Sequence, residues 1–363
     1  MSRGLVDRVK PLASLLAASL FAASTMTAAD LLLPSAQPPG GLAVADVPQF
    51  IMIGFDDNPD AAAMAWIVDF LANVSNPAGR GQAATYDGAP VRAAFYSNGV
   101  YFAESPELVA LHRRAHAAGH EIANHTQHHR QGGGFTAAEW RAEITACTQT
   151  FVEAGLPAED IVGFRTPFLA YNAATFAALA ELGVIYDTTI SEGVQDDQDG
   201  TNFLWPYTLD QGSPASERVA QHPGLWEIPV HEFMVPPDAA CDRLGVPVGL
   251  RQRTHDNVLR TQGWEWSMAE GKITGLDWNV VEMATLDGPD FRAILDYTLE
   301  LRLASNRAPL MVGAHTALYP ADKPDRREAL EGFIHHALTH PEVRIVTPVQ
   351  LLAWLRSPVA LAH

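Results

Sequence analysis

The chain has 363 residues, 47% of them hydrophobic, with two cysteines and a formal net charge of −18. That acidity argues against nucleic acid or an anionic membrane surface as a partner, since both are polyanions. Two cysteines exclude a disulfide scaffold, and the length and apolar content are enough for one large core.

Residues 1–29 read as a secretory signal peptide. Arg3, Arg8 and Lys10 form a basic start, residues 12–23 are a short apolar segment, and Ala28-Ala29 offers small residues for cleavage before Asp30. Removing those three basic residues and Asp7, a net +2, takes the charge from −18 to −20. No other run approaches the roughly 20 apolar residues of a spanning helix, so a secreted or periplasmic protein without stable membrane insertion is expected. Residues 30–46, rich in Leu, Pro, Gly and Ala, read as an extended leader, and residues 47–357 as one domain. Cys147 and Cys241 are compatible with a disulfide in such a compartment; their spacing leaves both states open.

The domain opens on Ile51-Met52-Ile53-Gly54-Phe55, an apolar run that ends in Asp56-Asp57. A parallel strand covered on both faces has this pattern, and acids at its C-terminal end would sit on the rim where α/β folds keep their chemistry. Taken alone, two adjacent acids are more often a turn that caps the next helix. Residues 61–74 read as a helix with Met64, Ile67, Val68 and Leu71 on one face. Residues 91–96 form a second strand and 106–118 a helix stopped by Gly119. A short strand over 121–124 runs into His125-Thr126-Gln127-His128-His129. Thr136 and Glu139 make a capping box for a helix to about residue 154.

Residues 161–164 are strand, followed by Arg165-Thr166-Pro167-Phe168; a helix over 173–182 ends at Gly183, and 184–186 are strand again. The polar stretch 192–224, with Trp205-Pro206-Tyr207, reads as a long substrate-side loop. Residues 226–232 return to strand. Residues 236–288 carry the weakest pattern, read as two short helices containing Trp264, Trp266 and Trp278. A helix over 289–303, a strand over 310–315, a helix from about 326, a strand over 343–346 and a closing helix from 348 complete the chain. The alternation, without a Gly-rich phosphate loop, predicts an α/β fold: a distorted (β/α) barrel of seven or eight strands.

Asp56, Asp57, His125, His129, Arg165 and His315 all follow predicted strands and would converge on one rim. Two histidines at i and i+4 with a carboxylate make a three-ligand site that leaves a position for water on a divalent metal. A further Asp beside it would be a general base and a further His a general acid. His112, His116 and His120 imitate a helical metal site, but Gly119 breaks that helix; two exposed histidines and one strand residue are expected instead. His335-His336 reads as a solvated helix face, and His128 as pointing away from the ligands.

In their order, Phe55-Asp56-Asp57, His125-Thr-x-x-His129 and Arg165-x-Pro-Phe resemble the first three motifs of the polysaccharide deacetylases, the NodB-like carbohydrate esterase family 4. Tyr186-Asp187-Thr188-Thr189, Leu204-Trp205-Pro206-Tyr207, Trp226-Glu227-Ile228-Pro229 and Asn306-Arg307-Ala308-Pro309 are similar to the invertebrate-type chitin deacetylases. The resemblance covers most of residues 48–356 and implies that residues 47–357 are a deacetylase catalytic domain. It implies that Asp57, His125 and His129 bind one divalent metal, usually zinc. It makes Asp56 the base that deprotonates the attacking water, Arg165 its ion-pair partner, and the backbone N–H of Phe168 an oxyanion donor. His315 becomes the acid that protonates the leaving amine. Trp205 and Tyr207 are candidate sugar-stacking platforms, with ordinary loop anchoring an equal alternative; Tyr319 is a further candidate sugar contact, and Asp187 is the candidate acid that tunes His315, although a structural role suits it better.

Phe168 departs from the family's usual Tyr, Gly313-Ala314-His315 from Leu-x-His, and Tyr319 from Trp. The implied substrate is an acetylated glycan, with N-acetylglucosamine of a chitin-like polymer first. Peptidoglycan or an exopolysaccharide comes second, and O-acetylated hemicellulose third. A carbohydrate-binding protein without catalysis and a binuclear phosphohydrolase are the readings from other classes.

Overall fold

Strand β1 (Gln49–Asp57) is the axis of the molecule, buried on both faces until its last residue. The computed structural model describes residues 31–363, apart from the side chains of Ala103 and Glu104. The segment read as a signal peptide lies outside the described residues.

The pleat of β1 sends alternate side chains to opposite sides. Ile51, Ile53 and Phe55 enter one hydrophobic cluster, with Met64, Ile67, Val68 and Leu71 of the helix Ala61–Leu71. Phe50 and Met52 enter another, inside the curl of the sheet, with Tyr96, Tyr186 and Trp226. Each of these buried apolar side chains contributes roughly 1.5–3 kcal/mol of transfer free energy. Gly54 and Asp56 continue the parity of Phe50 and Met52, so the pleat turns Asp56 inward. Asp60 caps the helix Ala61–Leu71, accepting the Ala62 and Ala63 N–H groups at 2.8 and 3.0 Å. Asp56 and Asp57 are thereby released from the capping role that adjacent acids usually have.

The remaining strands are β2 (Ala94–Ser97), β3 (Glu121–Asn124), β4 (Gly163–Phe164), β5 (Tyr186–Asp187), β6 (Ser191–Glu192), β7 (Tyr207–Thr208), β8 (Trp226–Glu227), β9 (Val230–Met234), β10 (Lys272–Thr274), β11 (Leu310–His315) and β12 (Val343–Ile345). The main sheet runs β11-β1-β2-β3-β4-β5-β8-β7, with β12 also paired to β1. Every pairing in it is parallel except β7 with β8. A second sheet, β10-β9-β6, continues where β5 leads into β6 and β8 into β9. After β10 the chain meets β11: Leu276 bridges Gly313, and the Gly313 N–H donates to the Gly275 carbonyl at 2.9 Å. A Cβ on Gly313 would lie 2.3 Å from Leu276, so only glycine allows that approach.

The expected barrel is therefore present as a curled, parallel-rich half-barrel, joined back to β11 by a single bridge. The expected strand over 226–232 is two strands, β8 and β9, because Pro229 between them has no N–H for a ladder. In 236–288, the helices Asp238–Cys241 and Leu250–Gln262 appear, together with β10 and a π-helical turn over Asn279–Met283. The leader is docked: Leu32 and Ser35 carbonyls accept the Thr208 and Trp205 N–H groups at 2.8 and 2.9 Å. Cys147 and Cys241 are both buried and free, so no disulfide joins them. No helix of the described residues is long and apolar enough to cross a membrane.

Candidate active site

β1 and β11 are in register with Asp56 opposite His315, and Asp57 pairs with Ser97 on the other side. Asp57 leaves the pleat with φ of 66°, a left-handed conformation costly for a side chain with a Cβ. The same holds for Asn58, Thr126, His129, Phe168 and Leu169, so six of the nine non-glycine residues with positive φ among those described lie on the loops around this rim. The Asn58 amide pins the first of these turns by donating to the Phe55 carbonyl and to Ser97 Oγ, each at 2.9 Å.

Asp57, His125 and His129 offer ligand atoms all within 4.8 Å of one another, the only such group among the described residues. His125 Nδ1 lies 2.8 Å from the Arg165 carbonyl, which can only accept, so Nδ1 carries the proton and Nε2 presents a lone pair. That lone pair faces Asp57 Oδ1 at 3.4 Å, and His129 Nε2 stands 3.0 Å from the same oxygen. Asp57 Oδ1 is buried and receives no hydrogen bond. Acceptors aimed at one another across such a gap repel unless a cation lies between them, and two imidazoles with a carboxylate suit a divalent ion. Burial opposes the charge on Asp57; the two imidazoles would outweigh it and hold the carboxyl well below the usual carboxylate range only if they were protonated.

Asp56 Oδ1 accepts Arg165 Nη1 at 2.6 Å, with the guanidinium wholly buried. Arg165 also donates Nε to the Thr188 carbonyl at 2.9 Å and stacks 4.2 Å above the Tyr96 ring. Below it, the Tyr96 hydroxyl meets Tyr186 at 3.2 Å, and Tyr186 donates to Glu121 at 2.5 Å. Burial pushes the Glu121 carboxyl up to about 7. This polar column fits because position 54 is glycine: a Cβ there would lie 2.8 Å from the Tyr96 ring.

His315 Nδ1 donates to Asp277 Oδ1 at 2.7 Å, and its backbone N–H donates to Oδ2 at 2.9 Å. Burial works against a charged imidazole, but the Asp277 carboxylate prevails and raises His315 to about 9. Asp277 therefore holds His315, and Asp187 does not; Asp187 binds Thr189 instead, at 2.7 Å. Sequence reasoning missed Asp277. It lies in the weakly patterned region, on a turn that only the Leu276–Gly313 bridge brings to β11.

Glu143 was also missed. It accepts the His128 N–H and Nδ1 at 3.0 Å each, and Arg130 at 2.7 Å, which anchors the loop that carries both candidate ligands, His125 and His129. His128 faces Glu143, as expected of a residue outside the ligand set. His112 departs from expectation: it is fully buried between Leu108 O and Ser97 Oγ, each at 2.8 Å, and burial lowers it to about 4. His120 is buried too, and only His116 of the three is open to solvent, paired with Asp160 at 2.8 Å.

The three aromatic candidates for sugar contact are buried, so loop anchoring is what the structure shows for Trp205 and Tyr207. Trp205 packs on Trp354 with ring centroids 6.0 Å apart, and its Nε1 donates to the Asn306 carbonyl. Tyr207 donates to Glu192 at 2.5 Å. Tyr319 stacks on Trp66 at 5.4 Å, and its hydroxyl adjoins Asp277. The aromatic groups exposed near the rim are Phe168, 63% exposed with its ring tilted against His129 at a centroid distance of 4.6 Å, and Trp278, 44% exposed beside Asp277.

Residues 83–186 match the family model described as polysaccharide deacetylase, a span that contains His125, His129, Arg165 and Phe168 but not Asp56 or Asp57. The chain is similar to chitin deacetylase 1 of Bombyx mori, 24% identical over 335 residues, which cover 88% of this chain and 53% of that protein. It thus spans about half the length of that relative. Chitin deacetylase 8 of the same organism is 25% identical over 342 residues, 89% of this chain and 74% of the relative. A crystal structure of a Mycobacterium smegmatis protein assigned to the polysaccharide deacetylases shares the fold, with a TM-score of 0.50 at 19% identity over 88% of this chain and 93% of that one.

Proposed function

We propose, from the premise that the chain belongs to the NodB-like polysaccharide deacetylase family, that it hydrolyses N-acetyl groups of N-acetylglucosamine residues in a glycan and releases acetate. The observation that carries this reading is the pair of facing acceptors at Asp57 Oδ1 and His125 Nε2, beside a separate Asp56–Arg165 pair and a His315–Asp277 pair. Asp57, His125 and His129 would hold one divalent ion, zinc by the chemistry of the donor set. Such an ion supplies a Lewis acid for the acetamide carbonyl and makes water a better nucleophile near neutral pH.

The rest belongs to the chain's own residues. Asp56, fixed by Arg165, accepts the proton of the attacking water. The Phe168 backbone N–H stabilises charge that develops on the carbonyl oxygen. His315, kept protonated by Asp277, gives its proton to the departing amine nitrogen. An amide needs all three aids, because its carbonyl is a poor electrophile and an amide anion a poor leaving group.

A chitin-like polymer is the first substrate class, supported by similarity to the two Bombyx mori chitin deacetylases. Secretion or periplasmic export fits such a substrate. Acetate release from N-acetylglucosamine oligomers, measured with chelator and again with zinc restored, tests the proposal. Absence of metal-dependent release from chitin oligomers, peptidoglycan fragments and acetylated xylan alike would overturn it.

A further inference from the structure

Asp187 and Glu227 are register partners on β5 and β8, and both are fully buried. Their shared face brings the two carboxyl groups into contact. Asp187 has its donors: Thr189 N–H reaches Oδ2 at 3.0 Å and the Thr189 hydroxyl reaches Oδ1 at 2.7 Å. Glu227 Oε1 accepts the Ile190 N–H at 3.2 Å, whereas Oε2 is buried and finds no donor. Two ionised carboxylates at this depth would repel without compensation. One proton between them removes the repulsion and occupies the orphan oxygen.

The contact has a route to the catalytic rim. Thr189 Oγ1 accepts the Thr166 N–H at 3.0 Å, and the Thr188 carbonyl accepts Arg165 Nε at 2.9 Å. Arg165 in turn holds Asp56 through its guanidinium and His125 Nδ1 through its carbonyl. We propose that Glu227 and Asp187 share a proton and act as a positioning pair, fixing Thr188-Thr189 and through them the Arg165 segment that orients both the base and one metal ligand. This rests on the roles proposed above for Asp56 and His125.

The surroundings support a neutral Glu227. Burial, followed by the Asp187 charge, pushes its carboxyl well above the ordinary value. The groups facing the pair are Glu192 and Tyr207, hydrogen-bonded to each other at 2.5 Å, with Tyr171 and the Arg165 guanidinium. Arg165, already matched by Asp56, is the single cation among them, so a proton is what removes one of the pair's two negative charges.

The test has two arms. In metal-free protein at neutral pH, the infrared spectrum of wild type minus that of Glu227→Gln should show a protonated carboxyl band; no such band overturns the shared proton. In the second arm, Thr189→Val removes the hydroxyl link at nearly constant volume. Zinc affinity and kcat should each fall about tenfold or more, as for losses behind a metal ligand, with KM nearly unchanged and Thr189→Ser restoring both. A Thr189→Val protein that keeps zinc affinity and kcat overturns the positioning role. If wild type deacetylates no glycan, the proposed function fails, while the infrared band and the zinc affinity still decide the pair.

Discussion

Asp277 accepts two hydrogen bonds from one residue, His315, through the ring Nδ1 at 2.7 Å and the backbone N–H at 2.9 Å. The double contact fixes the imidazole's orientation and keeps it charged, at about 9. As the proposed general acid, His315 works while protonated, so activity should hold through neutral pH and fall above about 9. Asp277→Asn removes the charge that raises His315, and the alkaline limb of kcat/KM should move toward the ordinary histidine range near 6.5. A pH–rate profile of acetate release checks this; an unmoved limb would assign it to another group.

Asp56 and Asp57 are adjacent but face different partners, Arg165 and the two histidines. Asp56→Asn should keep a full complement of metal and lose about a hundredfold or more in kcat. His125→Ala should lose both metal and activity. Metal analysis beside acetate release separates the two; an active Asp56→Asn protein would mean that another group is the base.

The interior column depends on Gly54. A methyl group there would lie 2.8 Å from Tyr96 and 3.4 Å from the Arg165 guanidinium. Gly54→Ala should cost about 1–3 kcal/mol in denaturant unfolding, and should lower kcat by displacing Arg165. Unchanged stability and activity would show that the column can shift without consequence.

Buried and exposed aromatic residues should separate cleanly. Trp205→Ala removes a core side chain and should destabilise by about 3–5 kcal/mol. Trp278→Ala and Phe168→Ala, at exposed positions, should leave thermal stability nearly intact and raise KM for oligosaccharides. The opposite pattern would return Trp205 to the substrate surface.

Because Cys147 and Cys241 are free, reductant should leave the melting temperature unchanged, and thiol titration after unfolding without reductant should count both.

Much of the rim is legible in the order of residues alone. Asp56, Asp57, His125, His129, Arg165 and His315 each follow a strand or strand-like run, and a parallel sheet delivers the ends of its strands to one side. Asp277 is illegible there for a concrete reason: β10 has three residues and the π-helical turn that follows has five, both too few to show a period. Trp205, Tyr207 and His112 fail differently. An aromatic or histidine residue in a polar stretch looks the same whether it faces solvent or core, and these three face inward.

By itself, then, the sequence determined the order of most strands and helices, the placement of Asp56 and Asp57 at the end of an apolar strand, and the residue types from which a metal site is made. All of these follow from local periodicity and from chemistry carried by single residues. The tertiary structure alone decided which acid serves which histidine, and which aromatic rings remain in contact with water. Those pairings depend on contacts between distant segments, such as Leu276 with Gly313 and Asp187 with Glu227, which close only when the sheet curls.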